Sequence, residues 1–197
     1  MDDPLSAETE RLRASLPAGR RFAVIGSTSF WNPESAELCE TIAAELAGIE
    51  SLLALTGGME GVGRAFGDAF AAARKRLGFS ENLIHLLPSE MRASWGGKAL
   101  SAGEDFYERR ELLGRVAEIY LVIEGGPGTA HEADVAAQYG GILIPVGRSG
   151  GHAEALFPQC SCPSRVSPDD WALLNDPGPP AEVIGRTVGR IVQSVLN

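Results

Sequence analysis

Short apolar runs alternate along this chain with longer stretches of helical period. Residues 21–25 (Arg21-Phe22-Ala23-Val24-Ile25), 52–56, 82–87, 119–123 and 142–146 read as strands. They are nearly continuous in apolar, branched side chains and lack polar alternation, as strands covered on both faces are. Between them, helices are predicted from Asn32-Pro33-Glu34 to about Ala47, then over 65–77, 105–117 and 129–139, with a last one over 181–196. Leu38, Ile42 and Leu46 fall on one face of the first of these, the spacing of a core-facing stripe. A charged stretch over 5–16 predicts an optional short helix before the Pro17-Ala18-Gly19 break. Residues 89–103 read as a long polar loop, a length associated with functional segments.

Strand and helix in strict alternation predict an α/β fold: a Rossmann-like, three-layer, doubly wound parallel sheet in a single domain. Residues 1–20 are expected to form an N-terminal extension and 21–197 the nucleotide-binding domain. In such sheets ligands sit beyond the carboxyl ends of the strands, where strand order reverses. Gly26, Gly57-Gly58, Gly125-Gly126 and Gly147 each follow a strand, so all lie on that edge. Repetition on one edge points to a ligand cleft.

The most informative stretch is Ile119–Glu132, IYLVIEGGPGTAHE. A strand that breaks into Gly125-Gly126-Pro127-Gly128-Thr129 and then a helix gathers unpaired N–H groups at the positive end of a helix dipole. A tight turn needs glycine for its own geometry, but this many glycines exceed one turn's demand, so a phosphate cradle is expected. The dinucleotide pattern G-x-G-x-x-G is absent after the first strand, which ends in Gly26-Ser27-Thr28-Ser29, and no P-loop lysine follows any glycine cluster. A conventional NAD or ATP site is therefore disfavoured. Glu132 has two readings: Thr129-Ala130-His131-Glu132 fits a capping box, and the same carboxylate could face the cleft. His131 is expected to be exposed. Asp105→Arg109 and Glu111→Arg115 have the spacing of solvated helix ion pairs. Ser27, Thr28 and Ser29 suit either a ligand or a helix-capping loop. Trp95 and Trp171 are expected to pack.

Composition narrows the partners. The 197 residues are 44% hydrophobic and carry a net charge of −9. Basic residues gather at Arg74-Lys75-Arg76 and Arg109-Arg110. A nucleic-acid binder normally shows a basic face, so no nucleic-acid partner is expected, whereas a small anion in a local positive pocket is compatible. No run approaches a membrane span and residues 1–16 lack an apolar signal core, so no membrane partner and a cytoplasmic location are expected. Cys39, Cys160 and Cys162 form neither a disulfide framework nor a zinc pattern, and no metal or cofactor is expected.

VIGSTS, TGGMEGVG, YERRELL, EGGPGTAHE and IPVGRSGG together resemble the Lonely Guy / lysine-decarboxylase-like family. That family includes cytokinin-activating phosphoribohydrolases and molybdenum-cofactor carriers. Gly125, Gly126, Gly128, Thr129 and Glu132 fall on its signature P-G-G-x-G-T-x-x-E, and Arg109-Arg110 on the R-K pair that precedes it. The resemblance implies a nucleoside 5′-monophosphate phosphoribohydrolase with Arg109 and Glu132 as the catalytic pair. Gly26, Ser27, Gly57, Gly58 and the signature residues Gly125, Gly126, Gly128 and Thr129 would bind phosphate or nucleotide. It also implies a homodimer. A non-catalytic nucleotide or molybdenum-cofactor carrier of the same fold is the alternative. The chain departs from the family pattern at three places. Glu124 replaces the signature proline, which is expected to put an anion at the mouth of the cradle. His131 stands where an acid is common, and the second glycine motif reads Gly57-Gly58-Met59-Glu60-Gly61-Val62-Gly63.

Overall fold

The apolar runs pair side by side as parallel strands. The computed structural model describes residues 3–197. The strands are β1 (Arg20–Gly26), β2 (Leu52–Thr56), β3 (Leu83–Leu87), β4 (Lys98–Ser101), β5 (Ile119–Ile123) and β6 (Ile142–Val146). They form one sheet in the order β4-β3-β2-β1-β5-β6. Every pairing is parallel, with Phe22 opposite Ile119 and Gly26 opposite Ile123 at the centre. The helices are α1 (Ser6–Ser15), α2 (Ser35–Ala47), α3 (Val62–Leu77), α4 (Phe106–Val116), α5 (Pro127–Gln138), α6 (Gly151–Leu156), α7 (Pro168–Leu173) and α8 (Ala181–Leu196). This is the expected doubly wound α/β architecture.

The inner strands β1, β2, β3 and β5 bury both faces because helices cover each side. Phe22 and Val24 point into a core with Leu38 and Ile42 of α2, Phe66 and Phe70 of α3, and Ile184 and Val188 of α8. Ala23 and Ile25 point the other way, toward Leu12 of α1, Leu112 and Leu113 of α4 and Ala133 of α5. Along α8 the buried Ile184, Val188, Ile191 and Val192 make one stripe at helical spacing.

The structure adds one strand to the sequence reading and moves the starts of α2, α3 and α5. Within the segment read as loop, Lys98–Ser101 is a short, largely exposed edge strand beside β3. Its charged, non-alternating sequence is what edge strands use against further pairing, and it hides the strand from a hydrophobic pattern. α2 begins at Ser35 because the Asn32 side chain accepts the Glu34 N–H at 2.9 Å and ends the turn ahead of it. α5 begins at Pro127, whose missing N–H costs nothing at a first helical position. Its far end is capped as expected, with the Gly141 N–H donating to Ala136 O at 2.8 Å.

Arg74 is not part of a basic surface. It is 1% exposed, and its guanidinium donates to the carbonyls of Ser80 (2.8 Å), Ala47 (3.3 Å), Ile49 (3.1 Å) and Glu50 (3.2 Å). A cation at the C-terminus of α2 satisfies carbonyls that the helix leaves unpaired. The fork is also stacked near Phe70 and Phe79, at 5.6 and 5.1 Å from the ring centres. Replacement by methionine keeps the stem but orphans the carbonyls. Arg74→Met is therefore expected to cost about 2–4 kcal/mol in equilibrium urea denaturation. Arg74→Lys, a point charge unable to span them, should recover only part.

Candidate functional site

β1 has β2 on one side and β5 on the other, so the chain leaves the sheet in opposite directions at this pair. A crevice must open above their carboxyl ends. The structure has a cavity of about 280 Å³ there. Of the residues expected to bind or react, Gly26, Ser27, Gly57, Gly126, Gly128, Thr129, Arg109 and Glu132 line it. Gly58 and Gly125 are not among its lining residues.

The walls are made of backbone that tolerates close approach. Gly125 has φ +98°, and a Cβ there would stand 2.5 Å from Thr129 Cβ. At Gly57 a Cβ would meet Arg109 Nη1 at 2.5 Å, so glycine makes room for the guanidinium. The first N–H groups of α5, at Gly126, Gly128 and Thr129, have no partners within the helix and open on the cavity. Behind the second glycine turn, Gly58 N–H donates to Thr56 Oγ1 at 3.0 Å, which lies 2.8 Å from His85 Nδ1. His85 Nε2–H donates to Gly96 O. Burial lowers the His85 pKa, and the bond to Gly96 O opposes that shift. Trp95 rests on this imidazole at 3.9 Å, so it packs as expected.

Arg109 and Glu132 converge. Arg109 Nη1 donates to Glu132 Oε1, joining α4 to α5. The two residues are 5% and 6% exposed. Glu132 therefore does not turn back to cap its helix. The cap lies at Gly126, well before it. Burial raises the Glu132 pKa, and Arg109 opposes that shift without cancelling it. The Arg109 Nε is buried with no partner. Asp105 does not pair with Arg109: it caps α4 by accepting the Glu108 N–H at 2.9 Å.

Several residues stand differently from the sequence reading. The Glu124 carboxylate is not at the cradle's mouth. It is fully buried and accepts the Ser27 hydroxyl, the Trp31 N–H at 3.2 Å and the Asn32 N–H at 2.8 Å. Its backbone sits at φ +52°, in the region that favours glycine, and its N–H donates to Ser149 Oγ at 2.7 Å. Those bonds turn the side chain away from the cavity and onto the loop after β1. Ser27 accordingly gives its hydroxyl proton to Glu124. His131 is only partly exposed: Nε2 lies 2.8 Å from Glu111 Oε1, and the ring rests 4.9 Å from Tyr107. Arg110, Trp31, Met59 and Glu60 line the cavity and were not singled out as site residues. Arg110 lies along Gly128, whose Cβ would be 3.1 Å from its Nε, and makes no ion pair among the described residues. Its place beside Arg109 was the available signal.

Comparison with known proteins agrees with the fold. The family model described as the SLOG cluster4 family matches residues 20–165. The curated proteins give no match. Among solved structures, TM1055, a structural genomics target, is 24% identical with TM-score 0.59, over 71% of this chain and 81% of that one. The molybdenum cofactor carrier protein from Chlamydomonas reinhardtii is 19% identical with TM-score 0.55, over 72% and 84%. DNA processing protein A from Helicobacter pylori, described by its single-stranded DNA binding mode, is 18% identical with TM-score 0.52, over 68% and 66%. These likenesses show the fold, and the family match shows the expected kinship with Lonely Guy-like proteins. The last structure overturns one expectation. A protein of this fold binds single-stranded DNA, so an acidic composition does not exclude nucleic acid as a partner. Among the described residues, no helix is long and apolar enough to cross a membrane, and no group of His, Cys, Asp or Glu could hold a metal ion.

Glu124 generates a stability prediction. Glu124→Ala leaves the Trp31 and Asn32 N–H groups and the Ser27 hydroxyl without their acceptor. It is expected to cost about 2–4 kcal/mol in urea denaturation. Glu124→Gln keeps an accepting oxygen and should cost clearly less.

Proposed function

Because the chain belongs to the SLOG cluster4 family, we propose that its cleft is the site of a nucleoside 5′-monophosphate phosphoribohydrolase. The observation that carries this reading is the convergence of Arg109 and Glu132 on one cavity beside the α5 N-terminus. The 5′-phosphate would lie against the N–H groups of Gly126, Gly128 and Thr129, with Arg110 supplying the fixed charge. Cleavage of the N-glycosidic bond develops positive charge at C1′. The Glu132 carboxylate would stabilise that charge and orient a water. The water oxygen bonds to C1′ as the bond to the base breaks. The base leaves with a proton, and ribose 5-phosphate remains. Arg109 would clamp sugar oxygens with the donors not engaged by Glu132.

A second reading has its own support. Glu132 is sealed in an ion pair, which suits a rigid anion-binding wall as well as a reacting carboxylate. A carrier of a phosphorylated cofactor would use the same glycine turn without turnover, and the fold is shared with a molybdenum cofactor carrier.

Incubation with AMP, followed by chromatography for ribose 5-phosphate, separates the two. The wild type is expected to release it. Arg109→Ala and Glu132→Gln should lose on the order of 100-fold in kcat, with circular dichroism checking that each variant folds. No release by the wild type, with AMP still raising its Tm, would sink the hydrolase and leave the carrier. The pH profile gives a further test. Glu132 acts as the charged form and burial raises its pKa, so activity should fall on the acid side around a value above the 4.5 of an ordinary glutamate. An acid limb at or below that value would contradict the assigned role.

A further inference from the structure

Trp31 lines the cavity although the residue is 59% exposed. Its place is fixed rather than loose. The Trp31 and Asn32 N–H groups both end on the buried Glu124 carboxylate, at 3.2 and 2.8 Å. The ring edge lies over glycine backbone: a Cβ at Gly126 would be 3.4 Å from Cη2, and one at Gly151 would be 2.8 Å from Cζ3. A side chain at Gly151 would push the indole aside, whereas a Cβ at Gly126 would rest in ordinary contact with it. Burying such a ring would stabilise the fold, and the chain forgoes that gain. A flat apolar surface is thus held open beside unpaired N–H groups and the Arg110 guanidinium.

We propose that Trp31 is a stacking platform for the planar heterocycle of a phosphate ester whose phosphate lies at the α5 N-terminus. Glu124 is the positioning residue that sets the platform's angle. This deepens the nucleotide reading of the cleft and rests on it. Stacking on an aromatic face is tolerant of ring identity, so the platform selects for a flat base and not for one particular base.

The test compares two probes by calorimetry. One is carbocyclic AMP, in which a methylene replaces the ring oxygen, so that no oxocarbenium ion can form. The other is ribose 5-phosphate, which has no ring to stack. Trp31→Ala is expected to weaken carbocyclic AMP about tenfold and to leave ribose 5-phosphate unchanged. Trp31→Phe should restore most of the loss. Glu124→Gln should lower the same ratio of affinities, which a general loss of stability would not move. Trp95 and Trp171 are packed, so carbocyclic AMP should also quench a fluorescence component that Trp31→Phe removes. An unchanged ratio in Trp31→Ala overturns the platform even if the wild type hydrolyses AMP. A selective loss with no hydrolysis leaves the platform standing and removes the hydrolase. Failure of the wild type to bind carbocyclic AMP removes the platform.

Discussion

The buried carboxylate of Glu124 ties together the two strand ends on which the cleft depends. β1 and β5 are neighbours in register up to Gly26 and Ile123, so the next residues, Ser27 and Glu124, meet across the switch point. The chain must separate there, one end toward α2 and the other into α5. Each end leaves unpaired backbone N–H groups, and Glu124 collects those of Trp31 and Asn32 together with the Ser27 hydroxyl. A carboxylate buried without such donors would be costly, and the donors buried without it would be orphaned. The positive φ at Glu124 is the local cost of aiming the side chain backward. The arrangement also explains how an acidic residue can sit next to an anion cradle: its charge is used inside the fold, on the far side of the turn.

The Arg109–Glu132 pair obeys a different logic. Taking both ions out of water costs several kcal/mol each, and their attraction only roughly offsets that. Such a pair is poor evidence for a stability device, and apolar residues of similar volume would hold α4 against α5 as well. What distinguishes it is that the cavity wall runs along it and that Arg109 Nε has no partner. Arg74 is the useful contrast: a still more deeply buried arginine in the same chain has its guanidinium spread over backbone carbonyls.

Most of the sheet was legible because its signal is local. Strands covered on both faces must be continuous apolar runs, so β1, β2, β3, β5 and β6 stood out. β4 did not, because an edge strand is recognised by its partner β3 and not by its own side chains. The glycine turns pointed to the edge at which the cavity opens. The pairing of side chains across that edge is long-range and leaves no periodic trace. Capping box and cleft carboxylate were equal readings of Glu132 until Pro127 started the helix early and carried Glu132 past the capping position. Glu124 was misread because a substitution in a signature says which residue changed and not where the new side chain turns. His131 was misread for the same reason, since Glu111 comes to it from the neighbouring helix.

The net charge of −9 and the expected anionic ligand are reconciled by distance. Exposed charges farther off than about 8–10 Å are largely screened at physiological salt. Groups inside the cleft act at close range and in lower dielectric. There the proposed ligand would meet the start of α5, the Arg110 guanidinium, and two carboxylates already committed, Glu124 to backbone donors and Glu132 to Arg109. An overall acidic surface would slow the approach of any anion, nucleotide or single strand alike. Once inside, what counts is the handful of donors that the fold has left unpaired. Net charge therefore bears on the rate at which a partner arrives, while the glycine turn and its neighbours govern which chemical group is held.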